Sequence, residues 1–189
     1  MKKIYAGIGS RTTPKHICAL IENIAENLAW DGWLLRSGGA KGADSAFEKG
    51  CDKANGKKEI FLPWKNFNSN ISNLYEPPPL AFHIAMKYHP YPNILETTPY
   101  VYKLMARNSQ QILGQYCTAS EVEFVLCWTQ DGATKETTSR TGGTGQAIRI
   151  AIDLGIPVFN LGNIDSMDAF INAYLQPILD KKQEEETTT

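Results

Sequence analysis

Cysteine, histidine, charge imbalance and long apolar runs are all scarce in this chain, and each shortage excludes something. Cys18, Cys51, Cys117 and Cys127 show no C-x-x-C spacing and stand in apolar or helical stretches. A disulfide scaffold and a thiolate metal site are therefore not expected, and reduced, buried thiols of a cytoplasmic protein are. His16, His83 and His89 do not cluster at ligand spacing, so no metal and no cofactor is expected. The formal net charge is −1, which argues against a protein that holds nucleic acid mainly by electrostatics, although a local basic patch stays open. No apolar stretch reaches membrane-spanning length, and the run after Lys3 lasts only from Ile4 to Ile8, too short for a signal peptide. No internal repeat and no dividing linker is visible.

The remaining composition is that of a globular protein: 189 residues, 42% hydrophobic and 21% charged. That length suits one α/β domain with a sizeable core. Lys3–Ile8 reads as a buried strand, followed by a helix with Thr13 as cap, Pro14 in first position and a stripe of Ile17, Leu20, Ile21, Ile24 and Leu28. Trp33–Arg36 is a second strand. Ala43, Ala46, Phe47, Cys51 and Ala54 line a second helix, and Glu59–Leu62 makes a third strand.

The periodicity then lapses over residues 64–96, an insertion rich in Asn, Pro and Tyr with room for one short helix near Leu80–Tyr88. Both a functional and a packing role stay open for it. A helix from about Pro99 to Gly114 follows, with Val101, Leu104, Met105 and Ile112 inward. Glu123–Trp128 is a fourth strand. Residues 129–140 are polar and aperiodic, a predicted mobile loop. Ala147, Ile148, Ala151 and Ile152 mark the next helix, Pro157–Leu161 a fifth strand, and Asp165–Lys181 a last helix. An acidic tail over 183–189 is predicted to be disordered. The expectation is a doubly wound, Rossmann-like parallel sheet of about five strands in the order 3-2-1-4-5, helices on both faces, with residues 1–182 as one domain.

Three glycine-rich turns carry the functional signal. They are Gly7-Ile8-Gly9-Ser10-Arg11, Ser37-Gly38-Gly39-Ala40-Lys41-Gly42-Ala43-Asp44 and Thr141-Gly142-Gly143-Thr144-Gly145-Gln146. Each sits where a strand hands over to a helix. Glycine permits a sharp turn and close approach to backbone amides, and the helix start adds free N–H donors and partial positive charge. With that strand order the three turns converge at the switch point. Ser10, Thr144 and Gln146 supply polar groups there, and Arg11 and Lys41 supply positive charge. For Ser37 and Asp44 helix capping competes with ligand binding. Trp128, at the exit of the fourth strand, is placed to stack on a base or to join the core. The first turn lacks the third glycine of a dinucleotide fingerprint, and no acidic residue ends the second strand.

With Met105-Ala106-Arg107-Asn108 between the second and third turns, these motifs in this order resemble the SLOG superfamily. That superfamily joins the Smf/DNA-processing protein A domain to the Lonely Guy nucleotide hydrolases. The resemblance spans most of the chain and looks like that of a small stand-alone member. It implies a Rossmann-like fold, a nucleotide-like ligand and a homodimer or higher homo-oligomer. It also implies that Arg107-Asn108 falls where the hydrolases carry a substrate-binding arginine. The hydrolase motif Pro-Gly-Gly-x-Gly-Thr-x-x-Glu is not kept: Thr141, Gln146 and Arg149 replace its proline, threonine and glutamate.

Cleavage of an N-glycosidic bond wants a carboxylate near an oxocarbenium-like state. Asp44, Glu96 and Asp131 are candidates at the correct sheet edge. The expected activity is therefore binding of a nucleotide or nucleotide-derived signal, such as a nucleoside phosphate or an ADP-ribose derivative, by a sensor or sequestering protein. Lys135 or Arg140 would reach the phosphates from the 129–140 loop. The alternatives are a nucleoside 5′-monophosphate N-glycosidase and a single-strand DNA-binding accessory protein. The latter would use Trp64, Tyr75, Phe82, Tyr88 and Tyr91 for stacking.

Overall fold

Six parallel strands build the sheet in this computed structural model, which describes residues 3–187. In chain order the elements are β1 (Ile4–Gly9), α1 (Lys15–Trp30), β2 (Leu34–Ser37), α2 (Ala43–Lys53), β3 (Lys58–Leu62) and β4 (Leu74–Tyr75). Then come α3 (Pro79–Tyr88), α4 (Pro92–Thr97), α5 (Pro99–Leu113) and β5 (Phe124–Trp128). The chain ends with α6 (Thr144–Asp153), β6 (Val158–Asn160), α7 (Ile164–Phe170), a π-helical turn (Ile171–Leu175) and α8 (Gln176–Thr187).

The sheet order is β4-β3-β2-β1-β5-β6. Its last five strands reproduce the expected order, and the sixth is the two-residue β4, which pairs with β3 from inside the 64–96 insertion. So short a strand carries no period that sequence reading can detect.

Alternation along the central strands separates two cores. Ile4, Ala6 and Ile8 of β1 and Val125 and Cys127 of β5 face Ile112, Ala147, Ile148 and Ala151 of α5 and α6. Tyr5, Phe124 and Leu126 face Ile21, Ile24, Leu28 and Phe47 of α1 and α2, and Phe170 of the C-terminal helices. Strands buried on both faces read as nearly continuous apolar runs, as Phe-Val-Leu-Cys-Trp does. Gly7 belongs to this packing, because a Cβ there would lie 2.6 Å from the Phe47 ring.

Several local expectations change. Thr13 does not cap α1. Its hydroxyl donates to the Ser10 carbonyl at 2.6 Å, and Pro14 holds the cap position. Ile152 of α6 is exposed, since α6 covers the sheet only with its Ala147–Ile148–Ala151 face. Cys18 is half-buried, and the other three thiols are buried, with all four unbridged. Residues 183–187, expected to be disordered, continue α8 as helix, and the end of that tail lies outside the described residues. The helix is anchored where Lys181 pairs with Asp31 at 3.2 Å and Lys181 and Lys182 lie over the Trp30 ring.

The 129–140 segment is cross-braced. Asp131 accepts hydrogen bonds from the hydroxyls of Thr129, Thr138 and Thr141 and from the Ala133 amide. Burial works to raise the Asp131 pKa, but the three hydroxyls outweigh it and hold the carboxyl below its usual range. Among the described residues no helix is long and apolar enough to cross a membrane.

Candidate functional site

The strand order reverses between β1 and β5, since β1 leads to β2 on one side and β5 to β6 on the other. Gly9 of β1 lies in register with Trp128 of β5, and the Ser10 amide donates to the Trp128 carbonyl at 3.1 Å. Beyond these strand ends opens a cleft of about 250 Å³. Half of the expected site residues line it: Gly9, Ser10, Arg11, Asp44, Arg107, Asn108, Gly142, Gly143 and Thr144.

The three glycine turns are not equivalent. Ser37–Ala40 of the second turn are buried, whereas Gly142 and Gly143 of the third are exposed. Gly38 does not line the cleft. Its bare Cα makes room for the Arg107 guanidinium, whose Cζ would lie 2.5 Å from an added Cβ. Gly42 (φ +80) passes so close to the loop before α1 that a Cβ would lie 2.8 Å from the Arg11 carbonyl. Ser37 donates to the Gly7 carbonyl at 2.7 Å, and Asn68 donates to the Gly39 carbonyl at 3.0 Å. Lys41 is exposed and lies off the cleft. The second turn thus serves chiefly to fit three backbone segments together.

Asp44 fills the space where the first two turns meet. Its carboxylate accepts from the Ala40 amide at 3.3 Å and from Arg107 Nη1 at 3.1 Å, with the Gly9 amide also directed at it. Both partners of this ion pair are buried, at 3% and 5% exposure. Burial pushes the Asp44 carboxyl up and the Arg107 guanidinium down, while their mutual attraction and the backbone amides pull the other way. The guanidinium stays charged regardless. An internal carboxylate therefore occupies one backbone donor of each of these two turns, the Gly9 and Ala40 amides.

The third turn is free of such a plug. Asn108 Nδ2 donates to the Gly143 carbonyl at 3.0 Å and fixes the turn against α5. Gly142 adopts φ +62 and ψ −150, a conformation open to glycine and strained for other residues. Among the described residues the Gly143 and Thr144 amides, at the head of α6, have no acceptor in the chain. Arg11 and Arg140 line the same cleft, and neither has a carboxylate partner among the described residues.

Gly145 and Gln146 lie behind the turn rather than in the cleft: a Cβ on Gly145 would meet Thr141 at 3.3 Å, and Gln146 Nε2 donates to Ser109 at 3.1 Å. Trp128 packs against the core on the α1–α2 side. Lys135 lies in a separate groove beside β6. Arg149 donates from Nε to the Tyr88 carbonyl at 2.6 Å and from Nη1 to Thr137 at 2.5 Å, so it braces α6 against α3 and the 129–140 segment. Glu96 and Asp131 also stay outside the cleft, leaving Asp44 as the single carboxylate side chain lining it among the described residues.

Sequence reading missed one wall entirely. Phe67, Leu104, Met105 and Gln111 line the cleft. Phe67 comes from the aperiodic insertion, with Trp64 edge-on to it at 5.0 Å and the Arg107 guanidinium 6.0 Å from its ring. The i, i+4 spacing of Arg107 and Gln111 on α5 is the signal that connects Gln111 to the site. Arg107 Nε and Gln111 Nε2 are both buried without a hydrogen-bond partner, and each such donor costs about 1–3 kcal/mol.

No family model and no curated protein matches the chain. Solved structures do. The Moco carrier protein of Chlamydomonas rheinhardtii aligns with a TM-score of 0.51 at 16% identity, covering 93% of this chain and 86% of the carrier. DNA processing protein A from Helicobacter pylori, described for its single-stranded DNA binding mode, aligns with a TM-score of 0.54 at 15% identity, covering 97% of this chain and 82% of that one. The chain shares with these two proteins a Rossmann-like α/β fold over most of its length.

Proposed function

We propose that the cleft binds a nucleotide or nucleotide-derived signal, of the nucleoside-phosphate or ADP-ribose type, and that the protein senses or sequesters it. The observation that carries this reading is the asymmetry of the turns. Asp44 already stands as an internal anion on the Gly9 and Ala40 amides of the first two, whereas the third presents the free Gly143 and Thr144 amides beside Arg11 and Arg140 with no carboxylate on them. Amides at a helix start with nearby arginines suit a phosphate. The Phe67, Leu104 and Met105 wall suits an apolar ring or sugar face. The two fold neighbours are a cofactor carrier and a single-stranded DNA binder, and a ligand held rather than transformed agrees with both.

Binding is favoured over N-glycoside cleavage because Asp44, the single carboxylate side chain lining the cleft among the described residues, is buried against Arg107. A cleft of about 250 Å³ suits a small molecule better than a DNA strand. The test is calorimetric titration of the purified protein with AMP, GMP and ADP-ribose, with chromatography of each mixture for free base. Saturable binding without base release is the expected result. Absence of binding by all three at millimolar concentration would overturn the reading, and base release would replace it with the glycosidase. We further propose that residues 1–182 form one domain that works in the cytoplasm as a homo-oligomer, which light scattering of the purified protein tests for assembly.

A further inference from the structure

A polar network, not apolar burial, holds the open third turn in shape. Between Trp128 and Ala147 no apolar side chain is buried among the described residues. Yet this stretch brings Arg140, Thr141, Gly142 and Gly143 to the cleft. A segment with so few apolar contacts opens easily unless other contacts fix it. Here hydrogen bonds do so, and they converge on Asp131. At the sheet, the fully buried Asn160 of β6 donates from Nδ2 to the Thr129 hydroxyl at 2.7 Å and to the Ala133 carbonyl at 2.8 Å. The Thr129 hydroxyl donates in turn to Asp131 Oδ1 at 2.8 Å. The other carboxylate oxygen, Oδ2, accepts from the hydroxyls of both Thr138 and Thr141, at 2.7 and 2.6 Å. Each of these hydroxyls also accepts from the backbone. Thr138 Oγ1 takes the Arg140 amide at 3.1 Å, and Thr141 Oγ1 takes the Thr138 amide at 2.8 Å.

A threonine hydroxyl has one proton to give, so the carboxylate sets the direction of each of these bonds. Resting on the proposed nucleotide binding, we infer that Asp131 is a positioning residue for that site. Through Thr138 and Thr141 it fixes the Arg140 backbone and the entry to Gly142-Gly143 in the shape that receives a phosphate. Asp131 lies outside the cleft and acts on the ligand only through these neighbours. The role calls for an ionised carboxylate. One oxygen accepts two hydroxyls, and the other accepts a hydroxyl and the Ala133 amide. Asparagine, of the same size, sets its NH2 against donors whichever way it turns. Because hydroxyls and an amide occupy the carboxylate, the Arg140 guanidinium stays available to the cleft.

The experiment titrates AMP, GMP and ADP-ribose calorimetrically into the wild type, Asp131→Asn, Arg140→Ala and the double variant, with thermal melts to establish that each is folded. For whichever of the three the wild type binds best, Asp131→Asn is expected to weaken affinity about tenfold, and Arg140→Ala by a similar factor. Because Asp131 acts through Arg140, the double variant is expected to be weaker than Asp131→Asn by less than about threefold. A merely structural aspartate would lower the melting temperature and leave the two losses multiplicative. Thr138→Val removes a hydroxyl at constant shape and is expected to reproduce the loss, whereas Thr138→Ser keeps the hydroxyl and should bind within about twofold of the wild type. If Asp131→Asn does not fold, Thr138→Val takes its place in the cycle with Arg140→Ala. Wild-type affinity in a folded Asp131→Asn or Thr138→Val protein overturns the positioning role while nucleotide binding stands. So do multiplicative losses in the double variant, an Arg140→Ala protein that binds as the wild type does, or equal losses in Thr138→Ser and Thr138→Val. If neither Asp131→Asn nor Thr138→Val folds, the network is structural and the inference falls. Binding of none of the three ligands to the wild type overturns the nucleotide reading itself, and this inference with it.

Discussion

Gly143→Asp separates ligand binding from folding more cleanly than any other change in the cleft. Gly143 has φ −62 and ψ −26, helical values open to any residue. A Cβ there would meet only the Met105 methyl at 3.1 Å and Asn108 Nδ2 at 3.9 Å, both ends of movable side chains. The residue also holds the N-cap position of α6, where a carboxylate stabilises a helix by about 0.3–1 kcal/mol. The fold should therefore keep its stability or gain slightly.

Binding should not survive so well. The new carboxylate competes for the same free amides and stands beside the bound phosphate. At a separation of about 5 Å and an effective dielectric of about 20, one like-charge pair costs about 3 kcal/mol. Screening by solvent and the nearby arginines lowers this to about 2 kcal/mol, or affinity weakened about 30-fold. Gly143→Ala, which adds only the methyl, should bind within about threefold of the wild type. The assay is calorimetric titration with the nucleotide the wild type binds best, beside a urea melt of each variant. Wild-type affinity in a fully folded Gly143→Asp protein would refute the placement of the phosphate at the third turn.

Asp44→Asn leaves the buried Arg107 charge uncompensated, and should lower stability by about 3–5 kcal/mol, or about 6–20 °C in melting temperature for a chain of this size. Urea denaturation checks it, and Asp44→Asn combined with Arg107→Met should recover much of the loss; a shift under about 1 kcal/mol in the single variant would mean the pair is weak. Asp131, held below the usual carboxylate range, binds protons less readily in the folded state than the unfolded value of about 3.9 implies. Its contribution to stability is therefore present above about pH 4 and lost as pH falls through the folded pKa. Amide shifts of Thr138 and Thr141 should report a single titration below pH 4, and an unperturbed midpoint would show that the hydroxyls do not hold the charge.

Much of the scaffold was legible because its signals are local. The run Phe124–Trp128 and the helical stripes around Ile21 and Ala147 each declare a period, and short crossovers leave few ways to order the strands. The glycine turns were equally legible as turns, since backbone conformation at Gly42 and Gly142 restricts residue type. Phe67 was not legible. It lies in a segment without period, beside left-handed Asn66 and Asn68, and reaches the cleft only through packing against Trp64 and Arg107. The helical fate of 183–187 was hidden for a related reason: an acidic run looks disordered until Lys181 and Lys182 anchor its helix at Asp31 and Trp30.

By itself, the sequence determined the Rossmann-like class, the order of its five longer strands and the sheet edge at which three glycine turns gather. Those depend on residue type and spacing along the chain. Which turn stays open was decided only in three dimensions. Asp44 and Arg107 stand 63 positions apart, and no local pattern reveals that their ion pair sits where the first two turns meet. Nor does any local pattern show that Gly38 is bare to admit Arg107, or that Gly143 and Thr144 keep their amides free. Glycine makes a close approach possible, and the packing of the rest of the chain selects what approaches.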